Sequence, residues 1–349
     1  MIGIDIGTSY IKVCKIINNG SKRSSSLEDV EEQEDNRKQV SVIAAMKNVM
    51  DLEDNEKSEI LSSILKDCDI SKDSAFLAVG GADLIDKNIN LVNEEEDAPS
   101  EEVKQNAINE FNNAMREEGE AMYTTHMFIK GEDKKTTNII CTAAPKQIID
   151  SKINIASVGN IVVKGVTMET LALTNAFEQF GPSYRDKENV ALLNIGNDVT
   201  NIVILKGGKL VFFKDIDFGG HTITKEIAST YMVKEVLAEE IKMNKELKNK
   251  INFFMPNVLK KTTSSLIENI FTSIEYCVNK QFVISVDRIV VTGGGCLTDG
   301  LDSFIEKTMG ITTSKWNPLE DNNFIGYSNK DLGYFLPVAL GLALEKEKK

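Results

Sequence analysis

The strongest constraint on this chain is an internal echo. Near the start stands Ile4-Asp5-Ile6-Gly7-Thr8-Ser9, and about half the chain later Leu193-Asn194-Ile195-Gly196-Asn197-Asp198-Val199-Thr200. Each is an apolar strand with one polar residue, a glycine and a short polar turn, and each runs into a second alternating strand, so each predicts a hairpin. One such turn by itself is often no more than a turn, because Asp, Asn and Gly are favoured there for local reasons. Two at half-chain spacing point to a duplicated fold with both turns facing one cleft. Such turns aim backbone N–H groups and short hydroxyls at phosphate oxygens. A carboxylate beside the turn, Asp5, is suited to hold the waters of a Mg²⁺ ion.

A third segment fits the same cleft. Val290-Val291-Thr292-Gly293-Gly294-Gly295-Cys296-Leu297 is a buried-type strand, three glycines and the approach to a helix. A plain strand–helix loop rarely needs three glycines, whereas a backbone lying against a flat ligand such as adenosine does.

Between these motifs the pattern reads coarsely. Residues 18–39 hold Ser24-Ser25-Ser26 and then Glu28, Asp29, Glu31, Glu32, Glu34 and Asp35, either a solvated loop or a docking or phosphorylation site. Val40 to Lys66 carries helical spacing, and Ala75 to Gly80 reads as a strand. A helix starting at Pro99-Ser100-Glu101 presents Val103, Ala107, Ile108, Phe111, Ala114 and Met115 on one face. Strand-like runs at 126–129 and 138–143 and a helix at 147–156 complete a small α/β insertion over residues 83–164. Val190–Ile195, Thr200–Leu205 and Lys209–Ile216 read as three strands, the last two joined by Gly207-Gly208. The longest helix is expected from Asn257 to Lys280.

Composition narrows the class. A chain of 349 residues suits two domains with subdomains. Its formal charge of −13 and the lack of a basic stripe with interleaved aromatics argue against nucleic acid as a partner. Five scattered cysteines, none in a CxxC pair, fit a reducing compartment. Met1 leads straight into a strand rather than a signal sequence, and no apolar run of about 18 residues is present. The expectation is a cytoplasmic protein. His126 and His221 have no Cys or carboxylate at metal spacing, so no structural metal is expected. Trp316 is read as a packing or loop anchor.

These motifs resemble the actin-like ATPase superfamily, the group of actin, the heat-shock-70 chaperones and the sugar kinases. The resemblance implies an α/β fold of duplicated actin-like (ribonuclease H-like) domains, with mixed sheets flanked by helices. It implies ATP or ADP with Mg²⁺ as ligand. Asp5, Gly7, Thr8, Ser9 and Lys12, with Asn194, Gly196, Asn197 and Thr200, fall in the two phosphate motifs, with Asp5 reaching the metal through water. Gly293, Gly294 and Gly295 fall in the adenosine motif. Ala238-Glu239-Glu240-Ile241-Lys242 is similar to the segment whose Glu and Lys hold ribose and adenine, which assigns Glu239 and Lys242. Three residues apart, these two share a helix face, as a solvated surface pair would too.

Within the superfamily the chain looks like the FtsA and PilM group, and most like the pilus assembly proteins of PilM type. Met168 to Phe177 and Leu336 to Leu344 are similar to the two connecting helices, and Asp217 to Thr224 to the family's strand end and helix start. That likeness divides the chain into a first actin-like subdomain (1–82, 165–187 and 331–349), the inserted subdomain (83–164), a second actin-like subdomain (188–232 and 286–330) and a helical subdomain (233–285). FtsA-type chains carry a linker and an amphipathic membrane helix at the C-terminus, whereas here Glu345-Lys346-Glu347-Lys348-Lys349 follows the connecting helix directly. The PilM-like expectation is therefore a cytoplasmic clamp of a type IV pilus or type II secretion-like assembly. It would bind the short cytoplasmic tail of a PilN-like inner-membrane protein and reach the membrane through that partner, without inserting into it, and self-association stays open. An FtsA-like division scaffold and a small-molecule kinase of the same fold are the alternatives, although no convincing base for a kinase is found.

One departure bears on hydrolysis. The second phosphate motif ordinarily starts with Asp, and here it starts with Asn194. An amide neither offsets a Mg²⁺ charge nor acts as a base. Asp198 in the same turn would either supply the carboxylate or oppose a γ-phosphate. The expectation is nucleotide binding with at most weak ATPase activity.

Overall fold

The computed structural model describes residues 1–18, 40–81, 84–92, 99–117, 121–130, 136–158, 161–244, 255–320 and 331–345. The acidic run at 27–35 and the last four residues lie outside these.

Two five-stranded sheets repeat one topology. The first contains β1 (Ile2–Ile6), β2 (Tyr10–Asn18), β3 (Val40–Asn48), β4 (Ser74–Val79) and β8 (Val162–Met168), in the order β3-β2-β1-β4-β8. The second contains β9 (Asn189–Ile195), β10 (Thr200–Lys206), β11 (Lys209–Ile216), β12 (Arg288–Thr292) and β13 (Thr313–Lys315), in the order β11-β10-β9-β12-β13. In both, the opening strands form an antiparallel meander and the last two add in parallel to the first. Even the register repeats, with Asp5 opposite Lys12 and Asn194 opposite Asn201. The duplication expected from the two motifs is thus present strand by strand, and the mixed α/β architecture is the actin-like one.

β1 is buried along its whole length, which explains its unbroken apolar run around Gly3 and Asp5. The halves are joined by α4 (Glu169–Phe180) and the C-terminal α10 (Pro337–Ala343), which cross in close contact. A Cβ on Gly341 would lie 1.7 Å from the Ala172 carbonyl oxygen, so only glycine permits this approach. Around the pair a shared core gathers Leu173, Phe177, Leu192, Val203, Val290 and Leu340, with Trp316 edge-on to Phe177 at 4.9 Å. Trp316 is therefore a core anchor.

A separate three-stranded sheet, β5 (Ile85–Val92), β7 (Thr136–Pro145) and β6 (Met122–Lys130) in that order, is antiparallel throughout. It buries Ile139, Cys141 and Ala143 against Ile108, Phe111 and Met115 of α2 (Glu101–Glu117). Val103 and Ala114, expected on that face, are exposed at its margin. The helix after the sheet, α3 (Lys146–Ala156), packs elsewhere. Its Ile155 and Ala156 join the first half's core with Ile2, Ile4 and Leu61. The inserted sheet's own core thus ends near Pro145, although the sequence division carried the insertion to residue 164.

Two further expectations are corrected. The first part of Val40–Lys66 is not helical: it is β3, paired antiparallel with β2, and α1 begins only at Asp54 (Asp54–Asp67) behind a Glu53/Glu56 capping box. Alanines and a methionine permit either conformation there, and the open edge of β2 selects the strand. The single helix expected over Asn257–Lys280 is two, α7 (Met255–Thr262) and α8 (Ser264–Asn279). They are separated at Thr263, whose hydroxyl donates back to the Leu259 carbonyl at 2.7 Å. Together with α5 (Gly220–Tyr231), α6 (Glu235–Met243) and α9 (Leu301–Met309), they cover one face of the second sheet.

Candidate functional site

The β1–β2 and β9–β10 turns face one another across a cleft of about 560 Å³ between the halves. Both are closed by the same backbone hydrogen bond, Gly7 N–H to Tyr10 carbonyl at 3.1 Å and Gly196 N–H to Val199 carbonyl at 2.9 Å. Each loop tip is therefore two residues, Thr8-Ser9 in one and Asn197-Asp198 in the other. The second turn is braced from behind by the start of α5, whose Gly220 and His221 N–H groups donate to the Gly196 and Asn197 carbonyls, both at 2.9 Å. A Cβ on Gly219 would strike the Asn197 carbonyl oxygen at 2.1 Å, which explains the glycine at that position.

Every residue expected in the site lines the cleft except Thr200. Thr200 is fully buried and its hydroxyl donates to the Phe218 carbonyl at 2.8 Å. The hairpin twist turns it away from the ligand space, and it ties β10 to the chain leading into α5.

On the first-half side Lys12 pairs with Asp5 at 2.8 Å, directly across the β1–β2 register. Ser9 Oγ is buried with no hydrogen-bond partner. An orphaned hydroxyl in a phosphate-type turn fits a ligand oxygen. On the second-half side Lys242 is 3% exposed and donates to Glu239 at 2.7 Å, Thr224 at 3.0 Å and the Gly220 carbonyl at 3.3 Å. Burial lowers its pKa and the Glu239 charge opposes that shift. This is a built polar site and not a solvated surface pair. The triple glycine is required by packing. Gly293 has φ 83°, and a Cβ there would stand 2.4 Å from the Ile195 carbonyl oxygen. A Cβ on Gly294 would strike the Phe335 ring at 2.4 Å.

Asn194 heads a part-buried polar chain that the sequence did not reveal. Its amide donates to Asn201 Oδ1 at 2.8 Å, and the Asn201 amide donates to Asp215 at 2.8 Å and Glu169 at 3.3 Å. The second Asp215 oxygen accepts the Gly81 N–H at 2.6 Å, crossing from one half to the other. Glu169 is the first residue of α4, and its carboxyl is raised to about 7 by burial and by the neighbouring Asp5 and Asp215, against the pull of Lys152 and Lys12. Asp215 is likewise raised by burial, opposed by its hydrogen bonds from Asn201 and Gly81. Glu169 and Lys152 both line the cleft. Glu169 stands at the start of the connecting-helix motif, whereas Lys152 carries no local signal in the sequence.

His221 is flanked in space by Asp198, 3.9 Å from Nδ1, and Glu235, 3.4 Å from Nε2. The two carboxylates stand at opposite ring nitrogens and do not converge. Among the described residues no group of three or more His, Cys, Asp or Glu is arranged to hold a metal.

The duplicated sheets, facing turns and glycine loop fit the group suggested by the motifs, and one comparison decides the family. A family model described as type IV pilus assembly protein PilM matches residues 3–347. The chain belongs to the PilM family. Among solved structures it is similar to a PilM-PilN type IV pilus biogenesis complex, with TM-score 0.75 and 17% identity over 98% of this chain and 97% of that one. It is also similar to the ethanolamine utilization protein EutJ from Carboxydothermus hydrogenoformans, with TM-score 0.53 and 12% identity over 98% and 88% of the two chains. At such identities the likeness establishes the fold, and the family model carries the membership. Among the described residues of this PilM-family chain no helix is long and apolar enough to cross a membrane.

Proposed function

We propose that this PilM-family protein is a nucleotide-binding component of type IV pilus assembly that holds the short cytoplasmic tail of a PilN-like inner-membrane protein. The observation that carries the nucleotide reading is the convergence of three segments distant in sequence, Gly7-Thr8-Ser9, Gly196-Asn197-Asp198 and Gly293-Gly294-Gly295, on one cleft. The turns would receive the phosphates, and Asp5, paired with Lys12, is the carboxylate that would hold a Mg²⁺ ion accompanying them. Glu239 and Lys242 take the ribose and base side. The likeness to a PilM-PilN complex over nearly both whole chains supports the partner. The tail would lie between the first subdomain and the inserted sheet, ordering as it binds. Work at the inner face of the membrane then follows from the partner.

Hydrolysis is slow or absent in this reading. Asn194 carries no charge, and its amide is already engaged with Asn201. The test is calorimetric titration of ATP and ADP, each with Mg²⁺, beside a phosphate-release assay and a titration of the PilN-like protein's cytoplasmic segment. Binding of nucleotide without steady turnover, and of the segment, is expected. Turnover that falls on Asp198→Ala but not on Asn194→Ala would overturn the account of Asn194. Failure of nucleotide to bind would leave the fold without its ligand.

A further inference from the structure

Four lysines line the cleft: Lys12, Lys57, Lys152 and Lys242. Three are paired with carboxylates, Lys12 with Asp5 at 2.8 Å, Lys242 with Glu239 at 2.7 Å and Lys57 with Asp54 at 3.7 Å. Lys152 differs. It is half-buried, and its ammonium donates to the Ile6 carbonyl at 2.8 Å, with no carboxylate of a described residue within 4.0 Å. Two of its three N–H donors have no hydrogen-bond partner among the described residues, and its charge acts on the nearby Glu169 carboxyl without a close ion-pair contact. Partly desolvated charges are ordinarily paired, because leaving one unpaired is costly. An ammonium with spare donors and no close ion-pair contact, in a cleft lined by two facing turns, points to an anionic ligand group.

Position narrows which group. Ile6 is the residue directly before Gly7 of the first turn, so Lys152 stands on the first-half wall. The base-side groups, Glu239, Lys242 and the triple glycine, all belong to the second half. A nucleotide held there by its base and sugar would extend its phosphates toward the first turn, the wall on which Lys152 stands. The lysine is carried by α3, whose Gln147, Ile148, Ser151, Lys152 and Ile155 form one face along the cleft. That helix is the direct continuation of β7, the central strand of the inserted sheet, with Pro145 as its N-cap.

We propose that Lys152 contacts the terminal phosphate of a bound nucleoside triphosphate and lets the chain distinguish a triphosphate from a diphosphate. This rests on the nucleotide-binding reading of the same cleft. Lys152 is a binding and specificity residue here, with no role in bond breaking assigned to it.

The test is calorimetric titration of ATP and of ADP, each with Mg²⁺, into the full chain, Lys152→Ala, Lys152→Gln and Lys152→Arg, with melting curves taken without nucleotide. Lys152→Gln keeps a donor for the Ile6 carbonyl while removing the charge, so it covers the case in which Lys152→Ala folds poorly. Loss of a charged hydrogen bond predicts ATP affinity about tenfold or more lower in the Ala and Gln variants. ADP affinity should change by less than about threefold, and Lys152→Arg should keep most of the ATP affinity. Equal weakening of ATP and ADP, or no weakening of either, overturns the role of Lys152 while the nucleotide reading stands. A wild-type chain that binds neither nucleotide overturns both.

Discussion

Thr8 and Asp198 lie 190 positions apart and meet across the cleft, the Thr8 hydroxyl donating to Asp198 Oδ2 at 2.7 Å. The same oxygen accepts from the Asn197 amide at 2.9 Å. The two phosphate-type turns are therefore tied directly to one another. A phosphate entering between them competes for the Thr8 hydroxyl and meets a negative charge.

Removing that charge should favour an anionic ligand. Asp198 is about half exposed, so screening keeps the effect modest. Asp198→Ala is expected to tighten ATP binding by about fivefold at low salt, with a smaller gain in high salt. Calorimetry at two ionic strengths checks this, and weaker ATP binding in the variant would show that Asp198 assists the ligand.

Restoring the usual carboxylate at the head of the second turn should harm the chain. Asn194→Asp loses the N–H that Asn201 Oδ1 accepts and adds a charge beside Glu169 and Asp215. A buried acceptor facing an acceptor costs about 1–3 kcal/mol. A lower melting temperature is expected at pH 7.5, with a smaller penalty at pH 5 where carboxyls take up protons. Phosphate release should stay low, because the chain of amides behind position 194 is built for an amide.

Glu169 gives stability a pH dependence of definite sign. Its carboxyl titrates at about 7 in the folded chain against an ordinary 4.5. Between those values the folded chain holds more protons than the unfolded one, so stability falls as pH rises through the window. Below it both states are protonated, and above it both are ionised. The isosteric Glu169→Gln should remove this loss, with a gain on the order of 3 kcal/mol at pH 8 and almost none at pH 4.5. Urea unfolding at the two pH values reads it directly.

The crossing of the connecting helices should tolerate no added methyl. Gly341→Ala would place a Cβ against the Ala172 carbonyl, backbone against backbone, so neither side yields as a flexible side chain would. Overpacking of this kind costs about 1–3 kcal/mol or more. A melting temperature several degrees lower is expected, with weaker nucleotide binding as the halves are pushed apart. Ala172→Gly does not relieve the clash, because the obstacle is the carbonyl, and the double variant should melt no higher than Gly341→Ala.

Most of the cleft was legible in sequence because its parts are local. A two-residue turn after a buried strand needs glycine and small polar residues within a few positions, so Gly7, Thr8, Ser9, Gly196 and Asn197 announce themselves. The same holds for the triple glycine and for Glu239 and Lys242, three apart on one helix. Their repetition at half-chain spacing also gave the duplicated topology. Thr200 differs because the pattern fixes that a residue follows a turn, while the hairpin twist fixes which way its hydroxyl faces. β3 was misjudged because Ala and Met leave the backbone undecided until a partner strand is present.

The two turns, the glycine loop, the connecting helices and the loss of charge at position 194 are written in the residues themselves, because all of them rest on short-range backbone geometry and residue chemistry. What surrounds that amide, and which cleft lysine has no close ion-pair contact among the described residues, depend on how the chain packs. Asn201, Asp215, Gly81 and Glu169 come from different elements, and Lys152 meets Ile6 from a helix 146 residues away. Burial and pairing depend on every element that packs around a group, so no local pattern records them.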